Sequence, residues 1–274
     1  MNDKTFETFK NFIESNLGIK IPPSKKVMLE TRLGKRLRAL SIPTYEEYCD
    51  YVFSPEGFKV EVQQLVDSVT TNETDFFRES NHYDLMTSRI LPELLVERGL
   101  DEINLWSVAA ATGQEAYTLA MVMEEFGRSK KRARYRILAT DISEKVLKIA
   151  ETGIYTEHQA AKIPNNLKKY YCLRSRNPAQ KTVRFKPELR EKIMFRKLNL
   201  MDSDYHIKKE YHIIFCRNVF IYFDRPTQKK VLERLYERLA PGGFLFMGHS
   251  ENIGSAQLPL KNIASAVYQK TLEG

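Results

Sequence analysis

The segment Leu105-Trp106-Ser107-Val108-Ala109-Ala110-Ala111-Thr112-Gly113-Gln114-Glu115 starts as an apolar run and ends where a helical pattern begins. It reads as a strand feeding a tight turn and then a helix. Alanines and a glycine fill the turn, and such small residues let a ligand approach the backbone at the carboxyl end of a first strand. The turn has no G-x-G-x-x-G. A pyrophosphate needs that glycine-lined bed of N–H groups, so a dinucleotide is disfavoured. Glu115 at the helix start would also repel a phosphate, whereas a ligand carrying an amino group or a sulfonium tolerates it. Taken alone, the loop is equally compatible with plain packing of helix on strand.

Asp141 ends the next apolar run, Tyr135–Thr140, 28 residues after Gly113. In doubly wound folds an acid at this place accepts hydrogen bonds from ribose hydroxyls. Asp141 or Ser143 can also cap the helix that follows, and the two roles can be divided between them. Adenosine without a diphosphate, in a strand–helix–strand fold, points to S-adenosylmethionine as cofactor. Its product is S-adenosylhomocysteine.

The same alternation continues outward. Strands are expected at Asn104–Ala109, Tyr135–Thr140 and Tyr211–Cys216, and helices at Glu115–Phe126, Glu144–Glu151 and Pro226–Leu239. Phe244–Gly248 and Ser265–Lys270 close the chain as two strands with no helix between them, so one is expected to be antiparallel. The pattern is α/β with a mainly parallel, Rossmann-like sheet. The rhythm lapses between Pro164 and Lys197, where Thr182–Phe185 alternates and Arg174–Pro178 is turn-like. A small inserted β subdomain is expected at about 167–197.

Residues 1–68 read differently. Phe6, Phe9, Phe12, Ile13 and Leu17 recur at helical spacing, and a second helix over Ser24–Leu40 carries the stripe Leu29, Leu33, Leu37 and Leu40. Two more helices are expected, one capped by Thr44 and one near Lys59–Val69. This gives an all-α N-terminal domain (1–68) ahead of the α/β domain (91–274), with residues 69–90 between them.

Cys216-Arg217-Asn218-Val219-Phe220-Ile221-Tyr222-Phe223-Asp224 follows a strand whose end should lie over the first loop, where a reactive methyl would sit. The Asn/Asp-Pro-Pro-Tyr/Phe pattern of amine methyltransferases is absent. Val219, Ile221 and Phe223 read as core; Arg217, Asn218 and Tyr222 are harder to assign to packing.

Composition bounds the rest. The net charge is +8, with 42% hydrophobic residues, 15 Phe and 14 Tyr, which supports a large core. No run approaches the ~20 apolar residues that span a bilayer, and the polar Met1–Thr5 is no signal peptide. A cytoplasmic location is expected. Cys49, Cys172 and Cys216 give neither a disulfide framework nor, with five scattered histidines, a zinc pattern; no metal is expected.

Together these segments resemble the chemotaxis receptor methyltransferase family (CheR). The matching stretches are Thr70-Thr71-Asn72-Glu73-Thr74-Asp75-Phe76-Phe77-Arg78-Glu79, Trp106–Thr118, Ala139–Ile142 with Gly153-Ile154-Tyr155, Phe215–Phe223, Leu239–Gly243 and Gly248-His249-Ser250-Glu251. They span nearly the whole chain in order. The resemblance implies methyl transfer to glutamates on the cytoplasmic helical domain of chemotaxis receptors, reaching the membrane only through them. It makes 69–90 a linker and 91–274 a methyltransferase domain, and it places Asn72, Thr74 and Arg78 at the cofactor from that linker. Glu115 is implied at the methionine amino end, Asp141 at the ribose, and Asn199 with Leu200 at the adenine edge. Arg217, Asn218 and Tyr222 would lie near the methyl. Gln114 departs from the family, many of whose members carry Glu there. In some relatives the β subdomain grips a short receptor peptide; the turn Arg174–Pro178 has none of the glycines that such relatives often place there.

A glutamate side chain, with a pKa near 4.3, is already ionised at neutral pH, so no general base is required. The enzyme must align the carboxylate and strip its water. Arg78 and Tyr222 are the candidates to orient it; Arg78 can alternatively pair with Glu79 or Asp75. Arg32, Lys35 and Arg36 on the second helix are candidates to dock on glutamate-rich receptor helices, against the plainer reading of a solvated face. Two rival functions remain in view. An RNA methyltransferase fits the charge but lacks the amine motif and an aromatic stacking platform. A non-catalytic adapter would bind cofactor and form no ester.

Overall fold

A computed structural model describes residues 1–129, 134–251 and 258–272. The chain opens with four helices, α1 (Asp3–Leu17), α2 (Lys26–Leu40), α3 (Tyr45–Val52) and α4 (Pro55–Val69). Their starts are chemically marked. Asn2, Thr44 and Ser54 accept from the N–H groups of Thr5, Glu47 and Gly57, which removes donors that a helix start leaves unpaired. The α2 stripe Leu29, Leu33 and Leu37 is buried against Phe9, Ile13, Tyr48, Val52 and Leu65. Each such side chain contributes about 1.5–3 kcal/mol.

The linker leads into a helix at Asn81–Leu85 (α5), continued by wider turns to Glu97. Next come β1 (Glu102–Val108), α6 (Gln114–Ser129), β2 (Arg134–Asp141) and α7 (Glu144–Thr152). After these lie β3 (Ile154–Thr156), α8 (Asn165–Tyr171), β4 (Cys172–Arg174), β5 (Thr182–Phe185), α9 (Pro187–Arg190) and β6 (Ile193–Lys197). The chain ends with β7 (Tyr211–Cys216), α10 (Arg225–Arg238), β8 (Leu239–Met247), β9 (Leu260–Ala264) and β10 (Val267–Lys270).

Among the described residues, seven strands form one sheet in the order β6-β2-β1-β7-β8-β10-β9. β6, β2, β1, β7 and β8 run parallel; β10 is antiparallel to β8 and β9, as its helix-free connection requires. Chain order reverses between β1 and β7, which is where such sheets open a crevice. Apolar layers cover both faces. Phe215 and Phe246 stack at 4.3 Å on one; Trp106, Leu232 and Leu235 are buried on the other.

The insert differs from the expected 167–197. The small sheet is β3-β5-β4, so it begins at Ile154, and β6 belongs to the main sheet. The physical reason is edge position. Ile193 is buried and Met194 is 66% exposed, so β6 has the alternating pattern of a half-solvated ribbon, unlike the continuous apolar runs of β1 and β7.

Candidate active site

A pocket of about 360 Å³ opens at the carboxyl ends of β1, β2 and β7. Its floor is the β1–α6 turn. Ala109 and Ala111 hold φ of +53° and +47°, a left-handed conformation that costs a non-glycine residue energy. Hydrogen bonds fix them there: Ala110 N–H donates to Thr140 O, Ala111 N–H to Asp141 Oδ2, and Tyr155 O–H to Thr112 O. Gly113 is required by space as well as φ, since a Cβ would stand 2.7 Å from Ala150 Cβ.

Asp141 is buried, and burial raises its pKa while the backbone N–H bonds oppose the rise. Oδ2 accepts from Ala111 and Oδ1 from Ser143, both at 2.9 Å. The α7 N-cap is Ser143, which accepts from Val146 N–H. The cap weighed for Asp141 or Ser143 thus falls to Ser143. A carboxylate has about four acceptor positions, so Asp141 keeps capacity facing the pocket.

Arg217 lines the pocket beside Asn218, and its hydrogen-bonding groups face the protein. Its guanidinium is buried and spent inside the protein. Nε donates to Glu115 Oε2 at 2.7 Å, Nη1 to Arg78 O at 2.8 Å, and Nη2 to Tyr83 Oη at 2.8 Å. Glu115 Oε1 also accepts from Ser107 Oγ at 2.7 Å. Arg217 therefore ties linker, α5 and α6 together at the pocket wall. Gln114 Oε1 accepts from Thr112 Oγ1 at 2.7 Å within the same turn.

Glu79, His82 and His249 bring ligand-type atoms within 4.8 Å of one another. Arg217 Nη1 lies 3.3 Å from His82 Nδ1 and 3.5 Å from Glu79 Oε2, so a guanidinium already occupies the place of a cation. Burial first, and Arg217 second, depress the His82 pKa to about 4. The unfolded chain takes up a proton below about pH 6.5 that the fold refuses. This part of the stability is complete above that pH and is lost as pH falls toward 4. His82→Phe is expected to flatten the dependence of Tm on pH between about pH 7 and 5; an unchanged slope would refute the assignment.

The linker and the N-terminal domain form the outer wall. Asn72, Thr74 and Arg78 line the pocket from the linker, and Arg32 from α2. Arg32 donates to Val69 O and, at 2.8 Å, to Thr71 Oγ1, strapping α2 to the linker. Arg78 donates to Glu73 O at 3.3 Å. Asp75 pairs with Lys162, and Glu79 with Arg217, so neither suggested acid takes the Arg78 guanidinium. Asn199 and Leu200 line the opposite side, and the Asn199 side-chain amide is engaged by Asn16 O and Met201 N–H.

Asn218 and Tyr222 line the pocket from the β7–α10 loop. Ile221, expected in the core, is 55% exposed and also lines it; Phe220 is the buried anchor of that turn. Of the docking candidates, Arg36 is corrected. It forms a bidentate pair with buried Glu61 at 2.7 and 2.8 Å, and Tyr48 O–H donates to the same carboxylate. Lys35 is exposed on α2. Sequence reasoning missed Leu17, Ile19, Ile21 and Met28 as pocket residues, which wall it from the helical domain; it placed Leu17 on the apolar face of the first helix and gave the other three no role, since Ile19 and Ile21 lie between helices and Met28 is off the leucine stripe.

A parallel sheet, a switch-point pocket, an acid at the end of β2 and a first turn without a pyrophosphate bed fit an S-adenosylmethionine-dependent methyltransferase. The chain belongs to the CheR methyltransferase family: the family's all-α domain matches residues 4–70 and its SAM-binding domain residues 72–269. Chemotaxis protein methyltransferase 2 of Pseudomonas aeruginosa is 38% identical over 251 residues, 92% of this chain and 87% of that one. The chemotaxis protein methyltransferase of Escherichia coli is 35% identical over 270 residues, 98% and 91% of the two chains. That of Borreliella burgdorferi is 34% identical over 262 residues, 94% and 91%. The resemblance read from the motifs is borne out, and the chain is a methyltransferase enzyme of chemotaxis that uses S-adenosylmethionine. No helix among the described residues is long and apolar enough to cross a membrane.

Proposed function

We propose that the enzyme transfers a methyl group to glutamate side chains on the cytoplasmic helical domain of chemotaxis receptors, forming methyl esters. The observation that carries this reading is the pocket's chemistry. Arg78, Lys20, Lys25 and Arg32 line it together with Glu73, Glu115 and Asp141, and no histidine does among the described residues. An ionised carboxylate needs attraction and alignment, not a base. Asp141 holds the ribose, Glu115 the methionine amino group, and Asn72, Thr74, Asn199 and Leu200 enclose the nucleoside. The bound cofactor supplies a methyl on a cationic sulfur. Arg78 and Tyr222 orient the incoming carboxylate, and Asn218 faces the methyl. Arg217 positions Glu115 and the linker. Charge is neutralised in the transition state, so alignment of the carboxylate and removal of its water, not strong binding of the anion, favour the transfer.

Incubation with methyl-labelled cofactor and receptor-bearing membranes is expected to give base-labile label on protein. Label on RNA instead, or cofactor binding with no ester, would favour the two rivals. Lys35→Glu is expected to slow receptor methylation several-fold at low salt and much less at about 0.5 M salt, because docking charges are screened. Equal rates for both proteins at low salt would remove Lys35 from the docking surface.

A further inference from the structure

Glu251 lies outside every role given above, yet its carboxylate gathers three backbone donors from two loops. Oε2 accepts from Gly248 N–H at 2.7 Å and from Asn218 N–H at 2.9 Å; Oε1 accepts from Phe220 N–H at 2.7 Å. Its own N–H donates to Gly248 O at 2.8 Å and closes the turn. Glu251 is 6% exposed. These donors belong to the segments that leave β7 and β8. Asn218 holds φ +59°, a conformation that persists only where the surroundings impose it. Gly248 makes the approach possible: a Cβ there would stand 2.8 Å from Glu251 Oε2 and 2.7 Å from Asn218 Nδ2.

We infer that Glu251 is a positioning residue for methyl transfer, a carboxylate clamp that fixes the Arg217–Tyr222 backbone and so aims Asn218 and Tyr222 into the pocket. The inference rests on the proposed role of those two residues. Charge-assisted bonds from N–H groups to a carboxylate are the strong kind, and a shift of about 1 Å in a substrate-aligning group can cost a hundredfold in rate. A glutamine keeps the size of the side chain but turns an NH2 toward backbone N–H donors, so the clamp opens. Burial raises the Glu251 pKa against the pull of those donors. The clamp therefore weakens by protonation at a higher pH than an ordinary glutamate would.

The test is steady-state methylation of receptor membranes by Glu251→Gln, with active sites counted by calorimetric titration with S-adenosylhomocysteine. Per counted site, kcat is expected to fall about a hundredfold while the KM for receptor moves less than about threefold. The acid limb of kcat should also shift to lower pH, toward that of the substrate glutamate. A kcat per site within about threefold of the parent would overturn the inference, as would an unmoved acid limb. If Glu251→Gln does not fold, Gly248→Ala displaces the carboxylate from the other side and should lose kcat in the same way; normal turnover there would be equally decisive against the clamp. A parent protein that forms no glutamate ester would instead overturn the reading beneath it.

Discussion

Asp141→Asn is expected to weaken S-adenosylhomocysteine binding about a hundredfold, roughly 2.7 kcal/mol, and to lower Tm as well, because its NH2 must face either the Ala111 or the Ser143 N–H. The carboxylate faces two ways. Its protein side accepts from Ala111 and Ser143 N–H groups. Its remaining acceptor positions are the proposed partners of the ribose hydroxyls. An asparagine keeps one oxygen and presents an NH2 where an acceptor is needed, so one charge-assisted bond is lost and a donor is misplaced. Because burial raises the Asp141 pKa, affinity should also fall on acidification sooner than for an exposed aspartate. Calorimetry across pH measures both effects. An affinity within about threefold of the parent would show that the ribose lies elsewhere.

Arg217→Met is expected to destabilise the protein by about 3–5 kcal/mol, read as a loss of roughly 10 °C or more in Tm. Methionine fills much of the volume but leaves buried Glu115 without its 2.7 Å partner, and Arg78 O and Tyr83 Oη without a donor. The cost lies in the stranded carboxylate more than in the lost attraction. Adding Glu115→Gln to Arg217→Met should therefore recover part of the stability, since the buried charge disappears. Thermal unfolding of the single and double variants reads this coupling directly. If the double variant is no more stable than Arg217→Met alone, Glu115 is not the group that Arg217 compensates.

Much of the catalytic domain was legible because local pattern and tertiary role agree there. Tyr211–Cys216 is a continuous apolar run and forms a strand with those limits, since a parallel strand is buried on both faces. Asp141 and the alanine turn were legible because their spacing follows from strand, turn and helix lengths. The β6 edge was not, because Ile193–Lys197 is half solvated and alternates like a ribbon. Arg36 and Arg217 show a different limit. A charged side chain in a sequence announces its charge but not its partner, and their acids, Glu61 and Glu115, lie 25 and 102 positions away. Glu251 was legible only as a letter in a motif. Its partners are backbone N–H groups, which carry no side-chain signature.

The central claim is that a sulfonium donor lies in the switch-point pocket beside β1 and β2. Titration of the purified full chain with S-adenosylhomocysteine tests it most directly. One site per chain is predicted, lost or much weakened in Asp141→Asn and retained in Lys35→Glu. An absence of binding by the parent protein, or equal binding by Asp141→Asn, would contradict it.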